Sequence, residues 1–377
     1  MDQLVKLGDW KKLVGLFEKK HHVVLGLMSG TSADGLDIAQ VKFSWGKQLS
    51  FELMNAVSVS YEPAFREKII KAYDKNSSNV EYVTLLNYEI ARKHAEMVKS
   101  FNFQCDFVAY HGQTVWHAPA QGATLQLGEA DVLAVELQKP IVHGFRTKDV
   151  ALSGEGAPIS AYFDWAFLIG SDTSTAVLNI GGIANITAID DRGELIAFDT
   201  GPGNCLIDIV VRNFLNRDFD EGGALSREGR VNDKLIERML EQERKYINRR
   251  PPKTTGREVY NMSFLEETGA TKLLHPKDLL RTVVAFTASM VKENLAVHLP
   301  HVKRLFVTGG GAYNQTLIED LRRLGFEVRI PEKKLIDFRE AMAIAFLGEL
   351  FVKGLAPSKT VTGVRRSCVM GKLALPW

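Results

Sequence analysis

One local pattern occurs twice in this chain, and it narrows the possible folds more than any other feature. Val23-Val24-Leu25-Gly26-Leu27-Met28 is an apolar run, Ser29-Gly30-Thr31-Ser32-Ala33-Asp34-Gly35 is a glycine-bearing turn, and Leu36-Asp37-Ile38-Ala39-Gln40-Val41-Lys42-Phe43 is a second run. That order reads as strand, tight turn, strand. About one domain length later, Thr175-Ala176-Val177-Leu178-Asn179-Ile180, Gly181-Gly182-Ile183-Ala184 and Asn185-Ile186-Thr187-Ala188-Ile189 repeat the layout. Two halves that each open with a β-hairpin predict two related domains, and 377 residues suffice for two cores. Between the hairpins the pattern alternates in the α/β manner. Val80 to Phe101, Leu235 to Tyr246 and Leu279 to Leu299 have helical spacing, Ala341 to Phe351 reads as a buried helix, and Phe107 to Tyr110 and Arg304 to Thr308 read as strands.

Charge and cysteine content exclude several classes. With 47 Lys+Arg against 45 Asp+Glu the net charge is +2, which gives no reason to expect nucleic acid or a membrane surface as partner. Cys105, Cys205 and Cys368 are the three cysteines, far apart in sequence, so neither a disulfide framework nor a Cys-rich zinc site is expected. No apolar stretch approaches the ~18 residues of a membrane span. The N-terminus, with Lys11, Lys12, Lys19 and Lys20, lacks the layout of a signal peptide. These features predict a reduced, cytoplasmic protein. Residues 1–22 form an extension in which Leu4, Leu7, Trp10, Leu13, Val14 and Phe17 recur at helical spacing. Such a helix either anchors the chain to a membrane or partner or packs back on its own domain, and the pattern leaves both open.

Three glycine clusters carry the candidate chemistry. Ser29-Gly30-Thr31-Ser32 offers consecutive backbone amides and hydroxyls, and a nest of N–H groups is what a phosphate needs; Gly30 and Gly35 are expected to permit its tight bends. Asp34 and Asp37 could hold Mg²⁺ directly or through water. Phe198-Asp199-Thr200-Gly201-Pro202-Gly203-Asn204 places a carboxylate at a strand end beside a glycine turn, where it can act as a general base. In Val307-Thr308-Gly309-Gly310-Gly311-Ala312-Tyr313-Asn314 three glycines leave room for a flat ligand, and Asn314 can cap the next helix. Together they suggest a nucleotide held between two domains. His111 and His117 are too poorly spaced for a metal pair, and hydrogen bonding is expected instead. Lys253 and Arg257 are either phosphate-screening cations or ordinary loop charges.

Gly26-Leu27-Met28-Ser29-Gly30-Thr31-Ser32-Ala33-Asp34-Gly35-Leu36-Asp37 resembles the opening signature of the anhydro-N-acetylmuramic acid kinases, bacterial enzymes of the acetate-and-sugar-kinase, heat-shock-chaperone and actin superfamily. His111-Gly112-Gln113-Thr114, Phe145-Arg146 through Asp149, Gly156-Ala157-Pro158, Leu178 to Gly182, Phe198 to Asn204, Thr255-Gly256-Arg257-Glu258, Gly309 to Asn314 and Glu340-Ala341-Met342 follow in the family's order. The resemblance implies two actin-like (ribonuclease H-like) α/β domains with an interdomain ATP cleft: residues 23–145 plus 358–377, and residues 146–357. It implies ATP with Mg²⁺, a 1,6-anhydro sugar opened by water and phosphorylated at O6, and a homodimer in peptidoglycan recycling. By the same resemblance Asp199 is the catalytic base. Gly30, Thr31, Ser32, Ala33, Asp34, Gly35, Leu36, Asp37, Gly181, Gly182, Gly309, Gly310, Gly311 and Asn314 bind the nucleotide. His111, Arg146 and Glu340 meet the sugar, with Arg146 and Lys148 as candidate cations for its lactyl carboxylate. Many superfamily relatives carry an Asp where Met28 and Asn179 stand here, which again leaves Asp199 as the best-placed carboxylate.

Two segments depart from the family pattern. Gly144 stands where an Asp commonly precedes Phe-Arg, and Ser153-Gly154-Glu155 replaces Gly-Gly-Gln. Levoglucosan, an anhydro sugar without N-acetyl and lactyl groups, is therefore an alternative substrate. A nucleotide-dependent switch on the same fold is the alternative from a different class.

Overall fold

The computed structural model describes residues 8–377; Leu4 and Leu7 of the expected N-terminal helix lie outside them. The chain divides into two compact units, one running to Phe163 and resuming at Asp337–Trp377, the other formed by Asp164–Ile336.

In the first unit, β1 (His21–Ser29) pairs antiparallel with β2 (Gly35–Trp45), and β2 with β3 (Leu49–Ser60). On its other edge β1 pairs parallel with β4 (Phe107–Ala118), whose far end folds back on β5 (Ala123–Leu127). Next comes β6 (Ile141–His143), parallel to β4. Side chains alternate across a strand, so Leu25 and Leu27 point into one core with Leu86 and Ile90 of the helix Val80–Lys99. Gly26, between them, faces the helix Lys333–Val352. Asn79 starts the helix Val80–Lys99 by accepting the Tyr82 amide at 2.8 Å.

The second unit repeats this plan. Its sheet runs β9 (Leu195–Pro202), β8 (Ile183–Ile189), β7 (Thr175–Ile180), β10 (Arg304–Thr308) and β11 (Glu327–Arg329). The first three are antiparallel neighbours, and the last two continue parallel to β7. The hairpins repeated in the sequence are β1–β2 and β7–β8, the same position in two sheets of one strand order. That order is the expected ribonuclease H-like one, and the chain is a duplicated α/β fold. Helix Pro276–His298 forms the centre of this second core, with Val283, Phe286, Met290 and Val291 fully buried. After leaving this unit the chain ends in β12 (Lys372–Ala374), antiparallel to β6 of the first sheet.

The units divide at 163/164 and 336/337, not at the expected 145/146 and 357/358. Phe163 packs edge-on against Phe51, with centroids 5.3 Å apart, and against Phe346, at 6.3 Å. Those contacts tie residues 146–163 and most of the last long helix to the first sheet. From Gly8 onward the N-terminal extension packs back on its own unit. Helix Trp10–Glu18 is capped by Asp9, which accepts the Lys12 amide at 3.0 Å, and buries Leu13 and Leu16 while Trp10 and Val14 stay exposed. Its C-terminal carbonyls are taken by fixed donors. His22 Nε2 bonds the Leu16 carbonyl at 2.7 Å while Nδ1 meets Glu349 at 2.8 Å, and Lys353 donates to the Phe17 and Lys19 carbonyls. Among the described residues no helix is long and apolar enough to cross a membrane.

An alanine Cβ at Gly26 would lie 1.9 Å from the Ala341 carbonyl oxygen, and the small Ala345 and Gly348 line the same helix face, Gly348 against Ala109. Gly26→Ala is therefore expected to destabilise the protein by about 1–3 kcal/mol, the usual penalty of overpacking, lowering the urea midpoint. Gly15→Ala, in a helix with nothing within 4 Å of the new Cβ, should instead hold or raise the midpoint, since glycine weakens a helix. An unchanged midpoint in Gly26→Ala would place the helix elsewhere.

Candidate functional site

In the first unit the turn between β1 and β2 has its carbonyl groups engaged. The Gly30 oxygen accepts from Gln113 Nε2 at 2.9 Å and from the Ala33 amide at 3.1 Å. The Thr31 oxygen accepts from the Tyr73 hydroxyl and the Ser32 oxygen from Arg66, each at 3.3 Å. A trans peptide points its N–H opposite to its C=O. Holding the Gly30 and Thr31 carbonyls therefore turns the next two amides away from them, and the Thr31 and Ser32 N–H groups have no acceptor among the described residues. Two exposed, unpaired amides at a fixed spacing make an anion nest.

The glycines act differently from the expectation. The left-handed residue in this turn is Ala33, with φ +50°, and neither Gly30 nor Gly35 has positive φ. Gly35 is required by close pairing with β3, since a Cβ there would lie 2.5 Å from the Val59 oxygen. At Gly30 a Cβ would meet only Ser32 Oγ at 3.8 Å, so the fold leaves room there for a ligand. The side chains of Ala33 and Leu36 are fully buried and belong to the core, not to a binding surface.

Carboxylates cluster beside the turn. Asp37 has its pKa raised first by burial and then by Asp34, Glu340 and Asp337, with a Ser58 hydrogen bond opposing. Among the described residues no three His, Cys, Asp or Glu side chains gather closely enough to hold a metal ion. Direct chelation by such a set is absent, and the donors suit a cation that keeps most of its water, as Mg²⁺ does. Glu340 also acts on Arg146, where it partly offsets the lowering caused by burial. Arg146 is held by two acceptors, His111 Nε2 at 3.0 Å and the Gly156 carbonyl at 2.6 Å. His111 pairs its Nδ1 with the Gly112 carbonyl at 2.8 Å, and burial lowers its pKa to about 3. It is a neutral ring that positions Arg146. His117 bonds Thr124 at 3.0 Å. Lys148 donates to the Val369 carbonyl, so Arg146 is the better-fixed of the two candidate cations.

In the second unit the Gly181–Gly182 turn closes on the end of β9. The Gly203 and Cys205 amides donate to the Gly182 oxygen and the Asn204 amide to the Gly181 oxygen. Arg257 lies over Gly182, where a Cβ would come within 2.7 Å of its guanidinium. Gly309, at φ +75°, and Gly311 pack against Ile180, leaving Gly310 the more open of the three. Asn314 is buried, its Oδ1 capping the helix Gln315–Arg323 through the Leu317 amide at 3.0 Å.

Asp199 lies on β9 at a register shift, where Ala184 faces Gly201 and Asn185 faces Asp199; such bulges re-aim side chains. Three residues hold it. The Thr255 amide donates to Oδ2 at 3.0 Å, the Tyr246 hydroxyl to its carbonyl at 2.6 Å, and its own amide donates to the Lys253 carbonyl at 3.0 Å. Burial raises its carboxyl from 3.8 to about 6, with the Thr255 hydrogen bond opposing. Lys253 is neither a phosphate-screening cation nor a surface charge. It is 1% exposed and donates to the Tyr246 and Ile247 carbonyls and to Asn294, which anchors the loop that grips Asp199. Thr255 and Gln113 stand in motifs quoted above, yet their partners are remote in sequence; Tyr73, Arg66 and Tyr246 had no signal at all.

The family model for anhydro-N-acetylmuramic acid kinase matches residues 22–376. A protein of that name from Caldanaerobacter subterraneus subsp. tengcongensis is 33% identical over 396 residues, covering 97% of this chain and 100% of its own. One from Clostridioides difficile is 32% identical over 374 residues, covering 93% and 97%. Among solved structures, component A of the Acidaminococcus fermentans (R)-2-hydroxyglutaryl-CoA dehydratase aligns with a TM-score of 0.45 at 14% identity, over 89% of this chain and 99% of that one.

Between 3.8 and about 6 the folded chain holds a proton on Asp199 that the unfolded chain has released. This group's contribution to stability therefore falls as pH rises through that window. Asp199→Asn, which keeps an acceptor for Thr255, is expected to gain stability relative to the parent at neutral pH but not below pH 3.8, read by thermal melts across the range. Equal differences at both ends would remove the burial argument.

Proposed function

The chain belongs to the anhydro-N-acetylmuramic acid kinase family, and from that premise we propose that it uses ATP to convert anhydro-N-acetylmuramic acid into N-acetylmuramic acid 6-phosphate. Asp199 carries the reading: a half-buried carboxylate with a pKa of about 6, fixed by a backbone amide, is poised to take a proton near neutral pH. Asp199 accepts a proton from water as the water oxygen bonds to the anomeric carbon. The bond from that carbon to O6 breaks, and O6 attacks the γ-phosphorus with ADP leaving. The Thr31 and Ser32 amides stabilise phosphoryl oxygens, the main requirement of such a transfer, and Arg257 adds charge at the Gly182 turn. Gly309 to Gly311 supply the adenosine platform, and Arg146, oriented by His111, receives the lactyl carboxylate with Glu340 beside it.

Mg²⁺, when bound, neutralises phosphate charge; Asp34 and Asp37 would hold it through its waters. A homodimer in the cytoplasm serving peptidoglycan recycling completes the proposal.

Turnover is expected only when both ATP and the anhydro sugar are present, and in ¹⁸O-water the label should enter the anomeric position of the phosphorylated product, detected by mass spectrometry. ADP release with no sugar requirement would favour a nucleotide switch, and activity restricted to levoglucosan would reassign the substrate. Asp199→Asn should abolish turnover while leaving ATP binding intact. In the parent, kcat/KM should fall on the acid side with an apparent pKa near about 6, because the base must be ionised. A profile flat through that region would release Asp199 from the role.

A further inference from the structure

Behind the phosphate turn lies a chain of polar side chains with almost no exposure: Tyr110, His94, Tyr61, Ser29 and Gln113. A register shift in the β1–β4 ladder after Leu27 brings Ser29 directly opposite Gln113. Ser29 Oγ lies 2.5 Å from Gln113 Oε1, 3.0 Å from the Gly35 carbonyl oxygen and 2.7 Å from the Tyr61 hydroxyl. Tyr61 continues to His94 Nε2 at 2.6 Å, and His94 Nδ1 to the Tyr110 hydroxyl at 2.8 Å.

With Nε2 of Gln113 claimed by the Gly30 carbonyl and Oε1 facing Ser29, counting protons fixes the other directions. The one Ser29 hydroxyl proton faces two atoms that only accept, so the third contact must be a donation from Tyr61. Tyr61 then has no proton for His94, and Nε2 must carry one and donate. His94 is buried with no charged partner among the described residues, and burial lowers its pKa to about 3, so its Nδ1 is bare and accepts from Tyr110. The chain donates one way, Tyr110 to His94 to Tyr61 to Ser29 to Gln113. With Oε1 of Gln113 occupied, its amide nitrogen is turned to the other side. There it donates to the Gly30 carbonyl and to the Tyr73 hydroxyl, each at 2.9 Å, and Tyr73 passes its own proton to the Thr31 carbonyl.

We propose that Gln113 is the positioning residue of the phosphate turn, and that the Gly30 carbonyl on one side and the buried chain from Tyr110 to Ser29 on the other hold its amide in the orientation that keeps the Gly30 and Thr31 carbonyls back and presents the Thr31 and Ser32 amides. Gln113 acts through the turn and touches no reacting atom. The inference rests on the reading of that turn as the nucleotide phosphate site. A flipped amide would set its oxygen against the Gly30 carbonyl, two acceptors with no proton between them, and would leave Tyr73 without its donor, though Ser29 would keep the Gly35 carbonyl as an acceptor.

The test compares the parent with Gln113→Met, which keeps length without donors, and Gln113→Glu, which keeps the acceptor alone. Both should weaken ATP binding, measured calorimetrically, by about tenfold or more, the scale of one or two lost hydrogen bonds. The KM for the sugar should stay within about twofold, since only the nucleotide side has changed, and near-ultraviolet circular dichroism should match the parent. A loss confined to Gln113→Glu would assign the effect to added charge and overturn the proposal, as would equal weakening for sugar and ATP. In the unaltered protein labelled with ¹⁵N-histidine, long-range NMR correlation should find His94 as the neutral Nε2–H tautomer, whether or not the variants fold. The Nδ1–H tautomer would reverse the chain and overturn it equally. Normal ATP binding by both variants removes the positioning role alone, whereas a parent that binds no ATP removes the nucleotide reading and this inference with it.

Discussion

Holding the carbonyl across a peptide plane fixes the direction in which the amide of that plane points, and the candidate site depends on that pairing. In the β1–β2 turn, side chains of the same unit hold the carbonyls: Gln113 from β4, Arg66 from the helix Pro63–Lys71 and Tyr73 from the turn after it converge on three successive oxygens. The amides are left over by geometry and not by disorder. The corresponding turn of the second unit relies mainly on backbone, the Gly181 and Gly182 carbonyls accepting from the Gly203, Asn204 and Cys205 amides and the Ile180 carbonyl from Asn204 Nδ2. Neither solution requires an excess of basic residues, which accords with a net charge of +2.

Duplication of one strand order gives both units the same hairpin, yet the copies have diverged in use. The first hairpin has a long, polar turn backed by a buried hydrogen-bond chain. The second has a two-glycine turn beneath Arg257 and lies next to the strand bearing Asp199. The rest of the second unit raises the basicity of that carboxylate, since Lys253 and Tyr246 fasten its surroundings while burial disfavours its charge. A carboxylate of this kind opposes folding when ionised, and in the role proposed for Asp199 that would set stability against activity.

The hairpins, the Val80–Lys99 and Pro276–His298 helices and the three glycine clusters were legible because each is written in neighbouring residues. Strand β3 was not, because its half-exposed pattern gives no continuous apolar run. The unit boundaries were misplaced because Phe163 and Phe346 meet only after folding. The burial of Lys253 follows from acceptors on the helices Asp233–Asn248 and Pro276–His298, which no loop composition reveals. Gln113 was visible as part of a motif, but its task depends on the ladder register that sets it against Ser29. Gly30 and Gly35 do not carry the bend that their type suggests, since the left-handed backbone belongs to Ala33.

The close seating of the Lys333–Val352 helix on Gly26 has a consequence for orientation. Successive residues of an α-helix point about 100° apart around its axis, and Ala341, which meets Gly26 through its backbone, directly follows Glu340. The strand thus acts as a key that fixes the helix's rotation. Glu340 is brought near Asp37 and Arg146 with no hydrogen bond of its own among the described residues, and repacking beneath the helix would steer a charge that the repacked residues never touch.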